Sequence, residues 1–170
     1  MMYHFTGRTL RDGRQIPPIG EWLIHDGAVQ MCYFGLHASP TPFAALQYAP
    51  GEFLHQVELE GDLICEENDK SVGRRRKIIA TINATDLLRR FTRTVALSVI
   101  HLWIPPPVVV EYLKTGDESK RDAARDAARA AAGAAASDAA WAAALKKYAA
   151  MFNEMVEQAF TLQAKSKVER

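Results

Sequence analysis

Apolar and polar positions alternate through much of the first half of the chain, whereas from Thr85 onward the apolar ones recur at helical spacing. Met2 to Thr6 alternates loosely and ends at Gly7, which predicts a short strand. Arg8 to Gly20 carries Pro17-Pro18 and reads as loop. Residues 21–25 and 28–33 flank Asp26-Gly27, a pair that supplies the positive φ angles of a hairpin turn, so a strand–turn–strand is expected there. Pro42 suits the first turn of a helix, with Thr41 or Ser39 as cap, and Pro50-Gly51 stops it beyond Tyr48. Residues 53–59 and 62–66 predict a second strand pair joined at Glu60-Gly61-Asp62, and Lys77 to Ile82 is also strand-like.

Between Thr85 and Trp103 the apolar set Leu87, Leu88, Phe91, Val95, Leu97, Val99, Ile100 and Leu102 faces away from Arg89, Arg90 and Arg93. That is an amphipathic helix, capped by Asn83 or Thr85 and ended by Pro105-Pro106-Pro107. Val108 to Leu113 forms a shorter helix closed at Thr115-Gly116. Beyond Asp117 the composition shifts: 17 of the 28 residues from Ala123 to Ala150 are alanine, the best helix former. Gly133 and Ser137-Asp138 are the places where one long helix could bend or become two. Trp141, Leu145, Tyr148, Phe152, Met155 and Ala159 or Phe160 then form an apolar seam that must pack on something. The expected fold is α+β: a small, mostly antiparallel sheet followed by helices and a long Ala-rich C-terminal helix or helical hairpin. Its expected division is 1–116 and 117–170.

Charge adds little to this picture. Lys and Arg number 21 against 20 Asp and Glu, and residues 1–116 hold 12 of each sign, so no polyanion footprint exists and nucleic acid is not an expected partner. Cys32 and Cys65 are the two cysteines; with no CxxC they predict neither a disulfide framework nor a structural metal, and both read as inert core residues of a cytoplasmic protein. No run of 18 apolar residues occurs, and no membrane association is expected.

Candidate chemistry concentrates at Gly35 to Gly51. His37 lies between Gly35 and Ser39 at a predicted strand end; it is a candidate catalytic or ligand-contacting imidazole, or a histidine that fixes the turn. Were the first strand to neighbour this one, His4, Thr6, His37, Ser39 and Tyr48 would share one cleft as a ligand-binding set, with Tyr48 a core aromatic whose hydroxyl reaches the surface. Glu58 is a second catalytic candidate, sharing a strand face with Glu60. Arg74, Arg75, Arg76 and Lys77 form a basic run that could contact phosphate or nucleic acid, although Asp62, Glu66, Glu67 and Asp69 can neutralise it as a solvated hairpin. Trp141, Leu145, Tyr148 and Phe152 are the candidate partner interface. No metal site is assigned, and no Gly-rich P-loop, GxGxxG, nucleophile elbow or HExxH occurs.

Gly35-Leu36-His37-Ala38-Ser39, with Pro42 and Tyr48 at their offsets and a strand ending Val57-Glu58-Leu59-Glu60-Gly61, resembles a family of domains of unknown function found in phages and bacteria. Its motif is Gly, an apolar residue, His, Ala, then Cys or Ser, with Pro three and Tyr nine residues further on. Lys70 to Ile79, Leu97 to Gly116 and the Ala-rich tail with Trp and Arg are similar as well. The resemblance implies a phage-type cytoplasmic binding protein acting on a host protein or nucleotide, with interference in bacterial defence as one outcome. A second resemblance is to the ADP-ribosyltransferase-like fold, on Tyr3-His4, Gly35 to Ser39 and Ala45 to Ala49. That resemblance implies NAD as cofactor, His4 holding its ribose and Tyr48 stacking on nicotinamide. His37 stands where an aromatic is often found, and the late glutamate stays open between Glu58, Glu60 and Glu111. A homo-oligomer built through the helical tail is the third alternative.

Overall fold

The computed structural model describes residues 1–66, 69–131 and 138–168, with side chains at 129–131 and 138–143 and at 168 outside that description. Mixed α+β architecture is observed, with small antiparallel sheets, five α-helices among the described residues and a long C-terminal helix. The strands are β1 (Met2–Thr6), β2 (Trp22–Ile24), β3 (Leu36–Ala38), β4 (Phe53–Glu60), β5 (Ile64–Cys65), β6 (Ser71–Gly73) and β7 (Arg75–Asn83). The helices are α1 (Pro42–Leu46), α2 (Thr85–Ser98), α3 (Pro107–Thr115), α4 (Arg121–Ala131) and α5 (Asp138–Val168). They form two compact units, one of Met1–Thr85 with Met151–Arg170 and one of Asp86–Ala150.

In the first unit a four-stranded sheet, β1-β4-β7-β2, lies beside a three-stranded one, β3-β6-β5. A reciprocal backbone pair ties the two sheets: the Tyr3 N–H donates to the Ser39 carbonyl and the Ser39 N–H to the Tyr3 carbonyl, both at 2.8 Å. Directly opposed residues share a face, so Met2, His4 and Thr6 stand with Val57, His55 and Phe53. Along β4 and β7 the register shifts between Gln56 and Val57, because β7 has one extra residue, Ile79. Beyond that bulge Val57 faces Ile78 and Leu59 faces Arg76. Val57, Leu59 and Ile78 pack with Ala38 as a buried cluster. Leu54, at 0% exposure, occupies the other side with Phe5 and Ile82. On α5, Phe152 is buried edge-on against Phe43 of α1, Asn153 Oδ1 accepts from the Phe43 N–H at 2.9 Å, and Gln163 donates to the Thr81 carbonyl.

Two predicted hairpins do not form. Residues 28–33 are not a strand; β2 pairs with β7 instead, and Gln30 to Phe34 closes a tight turn with Cys32 at φ 67°. Gly35 follows at φ 113°, and an added Cβ there would come within 2.6 Å of Val72 Cγ2, so strand geometry breaks where only glycine fits. The pair expected from residues 53–59 and 62–66 is also absent, because β4 is held between β1 and β7 while β5 pairs with β6. Cys32 and Cys65 are exposed, contrary to the core reading: one sits at the tip of that turn and the other on the short outer strand β5. α1 begins as expected, with the Thr41 hydroxyl accepting from the Ala44 N–H at 3.1 Å and Pro42 in the first turn.

In the second unit α2 ends at Ser98, earlier than the periodicity implied, and a 3₁₀ turn covers Ile100–Leu102. α3 is closed by Gly116 in the left-handed region, φ 70°, and packs beside α4. Tyr148 is buried, its hydroxyl 2.8 Å from Ser98 Oγ. Residues 132–137, where the question of one helix or two arises, lie outside the described residues.

Candidate functional site

A cavity of about 800 Å³ opens within the first unit, a size that suits a small-molecule ligand. Four stretches build it: β1 and the loop after it, Leu23 of β2, the turn and strand from Cys32 to Ser39 with the end of α1, and Lys70 with Arg76. His4, Thr6, His37, Ser39 and Tyr48 all line it, so the predicted ligand-binding set comes together. Their surroundings give them different work.

His37 is engaged on both sides. Its Nε2 accepts from the Cys32 N–H at 3.2 Å and its ring also hydrogen-bonds the Gly35 backbone, so the remaining proton sits on Nδ1. Burial, ahead of the Arg76 and Lys70 charges, lowers its pKa, and the Gly35 bond opposes the shift. The imidazole thus clasps the turn that carries Cys32. Thr6 is buried, and its hydroxyl donates to the Gly7 carbonyl at 2.9 Å. With that proton used, Thr6 Oγ1 accepts from His55 Nε2–H at 2.8 Å, and the Thr81 hydroxyl therefore donates to His55 Nδ1 at 2.8 Å. His55 is held neutral: burial, then the Arg76 charge, bring its pKa down to about 4. Ser39 contributes the backbone tie between the sheets.

His4 is the open imidazole. Among the described residues no hydrogen bond engages its ring and no buried side-chain nitrogen is left without a partner, so its ring nitrogens face the cavity it lines; burial followed by Arg76, His55 and His37 pushes its pKa well below the usual value. Tyr48 is half exposed, contrary to the core reading: it lies two residues past the end of α1, held outward by Asp69 and Lys70. Its hydroxyl donates to the Asp69 carboxylate at 2.7 Å and accepts from Lys70 Nζ at 3.3 Å, with that ammonium 4.9 Å from the ring centroid. The bond to Asp69 is the main reason the phenol's pKa rises. Hydrogen bonds to Cys32 and Tyr48 raise the Lys70 pKa, and its ammonium also pairs with Glu66 at 3.4 Å and Asp69 at 3.6 Å.

The basic run divides by the pleat of β7. Arg75 pairs with Glu60 at 2.5 Å and Lys77 with Glu58 at 2.6 Å, and both cations lie 4.7 Å from the Trp22 ring. Arg74 pairs with Asp62. These three are surface ion pairs, and Glu58, a catalytic candidate, belongs to them rather than to the cavity. Arg76 alone turns inward. It is 6% exposed, lines the cavity and donates to the His37 carbonyl oxygen at 2.5 Å. Burial lowers its pKa to about 10.

Residues 1–90 match a family model described as a domain of unknown function, DUF7666. The chain belongs to this family. No curated protein and no solved structure matches it. The matched span contains all the cavity residues. Of the partner-interface candidates, Tyr148 and Phe152 are buried within the chain, Leu145 is exposed, and the Trp141 side chain lies outside the described residues. Among the described residues no cluster of His, Cys, Asp and Glu could hold a metal, and no helix is long and apolar enough to cross a membrane.

Sequence reasoning passed over His55, Lys70, Arg11, Arg14 and the distinct role of Arg76, all but His55 cavity-lining. A signal existed for two of them: His55, Val57 and Leu59 alternate on one face, as do Arg76 and Ile78.

Proposed function

We propose that this chain is a binding protein for a nucleotide-sized phosphorylated small molecule. The carrying observation is the composition of the cavity: Arg11, Arg14, Lys70 and Arg76 against Asp12 as its acidic side chain, with His4 unengaged and the half-exposed Tyr48 ring at the mouth. Asp12 is paired with Arg14 at 2.8 Å and Lys70 with Glu66 at 3.4 Å and Asp69 at 3.6 Å, which leaves Arg11 and Arg76 as the cations of the lining without a carboxylate partner among the described residues. Such a lining attracts an anion and offers an aromatic face to a base or sugar. The resemblance to phage-borne domains extends this reading to a phage-type cytoplasmic protein that sequesters a host nucleotide, with interference in a bacterial defence system as the biological outcome.

A second reading draws on the same two side chains. His4 on the first strand and Tyr48 at the mouth occupy one cavity, as an ADP-ribosyltransferase-like enzyme holding NAD would require. Thermal shift with adenosine, AMP, ADP-ribose and NAD separates the readings. A ligand at a hundred times its dissociation constant adds about 2.7 kcal/mol, which is readily detected. Stabilisation by AMP and ADP-ribose, lost in His4→Ala, supports the binding reading; stabilisation by NAD together with slow release of nicotinamide supports the enzyme. Absence of any shift from all four counts against both.

A further inference from the structure

We propose that Arg76 is the anchor for the ligand's phosphate, and that the ligand supplies the counter-charge this buried guanidinium lacks. This rests on the small-molecule reading of the cavity and specifies which end of the ligand goes where.

A buried arginine ordinarily has a carboxylate partner, because removing a charge from water is costly unless it is paired and hydrogen-bonded. Arg76 is 6% exposed and, among the described residues, makes no ion pair. Its neighbours in the run have all found carboxylates: Asp62, Glu60 and Glu58. One guanidinium nitrogen, Nη1, is used on the His37 carbonyl oxygen. Among the described residues no buried side-chain nitrogen lacks a partner, so the N–H groups of Arg76 not engaged there are the ones that open onto the cavity it lines. A planar fork with free donors beside a neutral imidazole is a phosphate-binding arrangement. His4 and His37 both feel the Arg76 charge, which places it within electrostatic reach of each ring. The bulge on β7 aims it there: from Ile78 onward toward the strand's start, the residues facing Val57 and Leu59 are Ile78 and Arg76.

The test compares adenosine, AMP and inorganic pyrophosphate by calorimetry on the full chain, wild type against Arg76→Met, with the His4 ring followed by NMR titration. Charge-assisted hydrogen bonds to one phosphate predict AMP binding on the order of thirtyfold tighter than adenosine in the wild type. In Arg76→Met that preference falls to within about threefold, the ratio cancelling any change common to the two ligands. AMP, and not adenosine, raises the His4 pKa in the wild type by covering the Arg76 charge. This NMR readout also decides the matter should Arg76→Met fail to fold. Equal affinity for adenosine and AMP, or a His4 titration unmoved by AMP, overturns the anchor and leaves the cavity reading standing. Binding of none of the three probes removes the cavity reading and the anchor with it.

Discussion

Acid should weaken the first unit through His55, and the size of the effect follows from its surroundings. The ring is 1% exposed, donates from Nε2 to Thr6 and accepts at Nδ1 from Thr81. Protonation would put a second N–H against the Thr81 hydroxyl and a charge near Arg76. The folded pKa is therefore depressed to about 4 from an ordinary 6.5. With the folded value below the unfolded one, the unfolded chain binds the extra proton first. Stability is complete above pH 6.5 and is lost as pH falls from there toward 4. Between pH 7.5 and 5 the loss from this residue is about 2 kcal/mol. Urea unfolding at the two pH values measures it, with His55→Asn as the comparison that cannot titrate. The wild-type midpoint should drop by about 1 M more than that of the variant. An equal drop in both proteins would refute the reasoning, since His4 and the carboxylates titrate in each.

Other positions give independent checks. Gly35→Ala combines a left-handed φ of 113° with a 2.6 Å approach to Val72, and should cost about 3 kcal/mol in chemical denaturation. Phe152→Ala empties a fully buried site against Phe43 and should cost about 3–5 kcal/mol by the same measurement. Tyr148→Phe removes only the hydroxyl bonded to Ser98, so a loss of about 1 kcal/mol is expected from thermal melts. Tyr48→Phe, at a half-exposed site, removes the tie to Asp69 and should change the melting temperature little in thermal melts.

Local signals were legible where local physics decides. The Thr41-Pro42 start of α1, the glycine that closes α3 and the first strand all follow from capping, φ preference and alternation. Pairing was not legible, because Asp26-Gly27 and Gly61 carry turn chemistry whether or not the flanking segments bond to each other. Which strand wins β2 is decided by the exposed edge of β7, far along the chain. The same holds for the site. His4, His37 and Tyr48 could be gathered from spacing and a supposed neighbour relation, and the cavity does gather them. That His37 is consumed by its own turn while His4 is open depends on the conformation of Cys32 and Gly35, which no periodicity encodes.

The extra residue in β7 has a consequence for how this chain tolerates changes in length. Loss of Ile79 would close the bulge and keep Ile78 opposite Val57 and Arg76 opposite Leu59, whereas a one-residue slip of β7 against β4 would bring Arg75 or Lys77 to the place of Arg76. Here every position that could arrive is cationic, so the inward charge survives a frame error in the strand even though the identity of its bearer does not. Four consecutive basic residues thus act as a spare set, and the feature that looks like a surface patch in the sequence insures the interior.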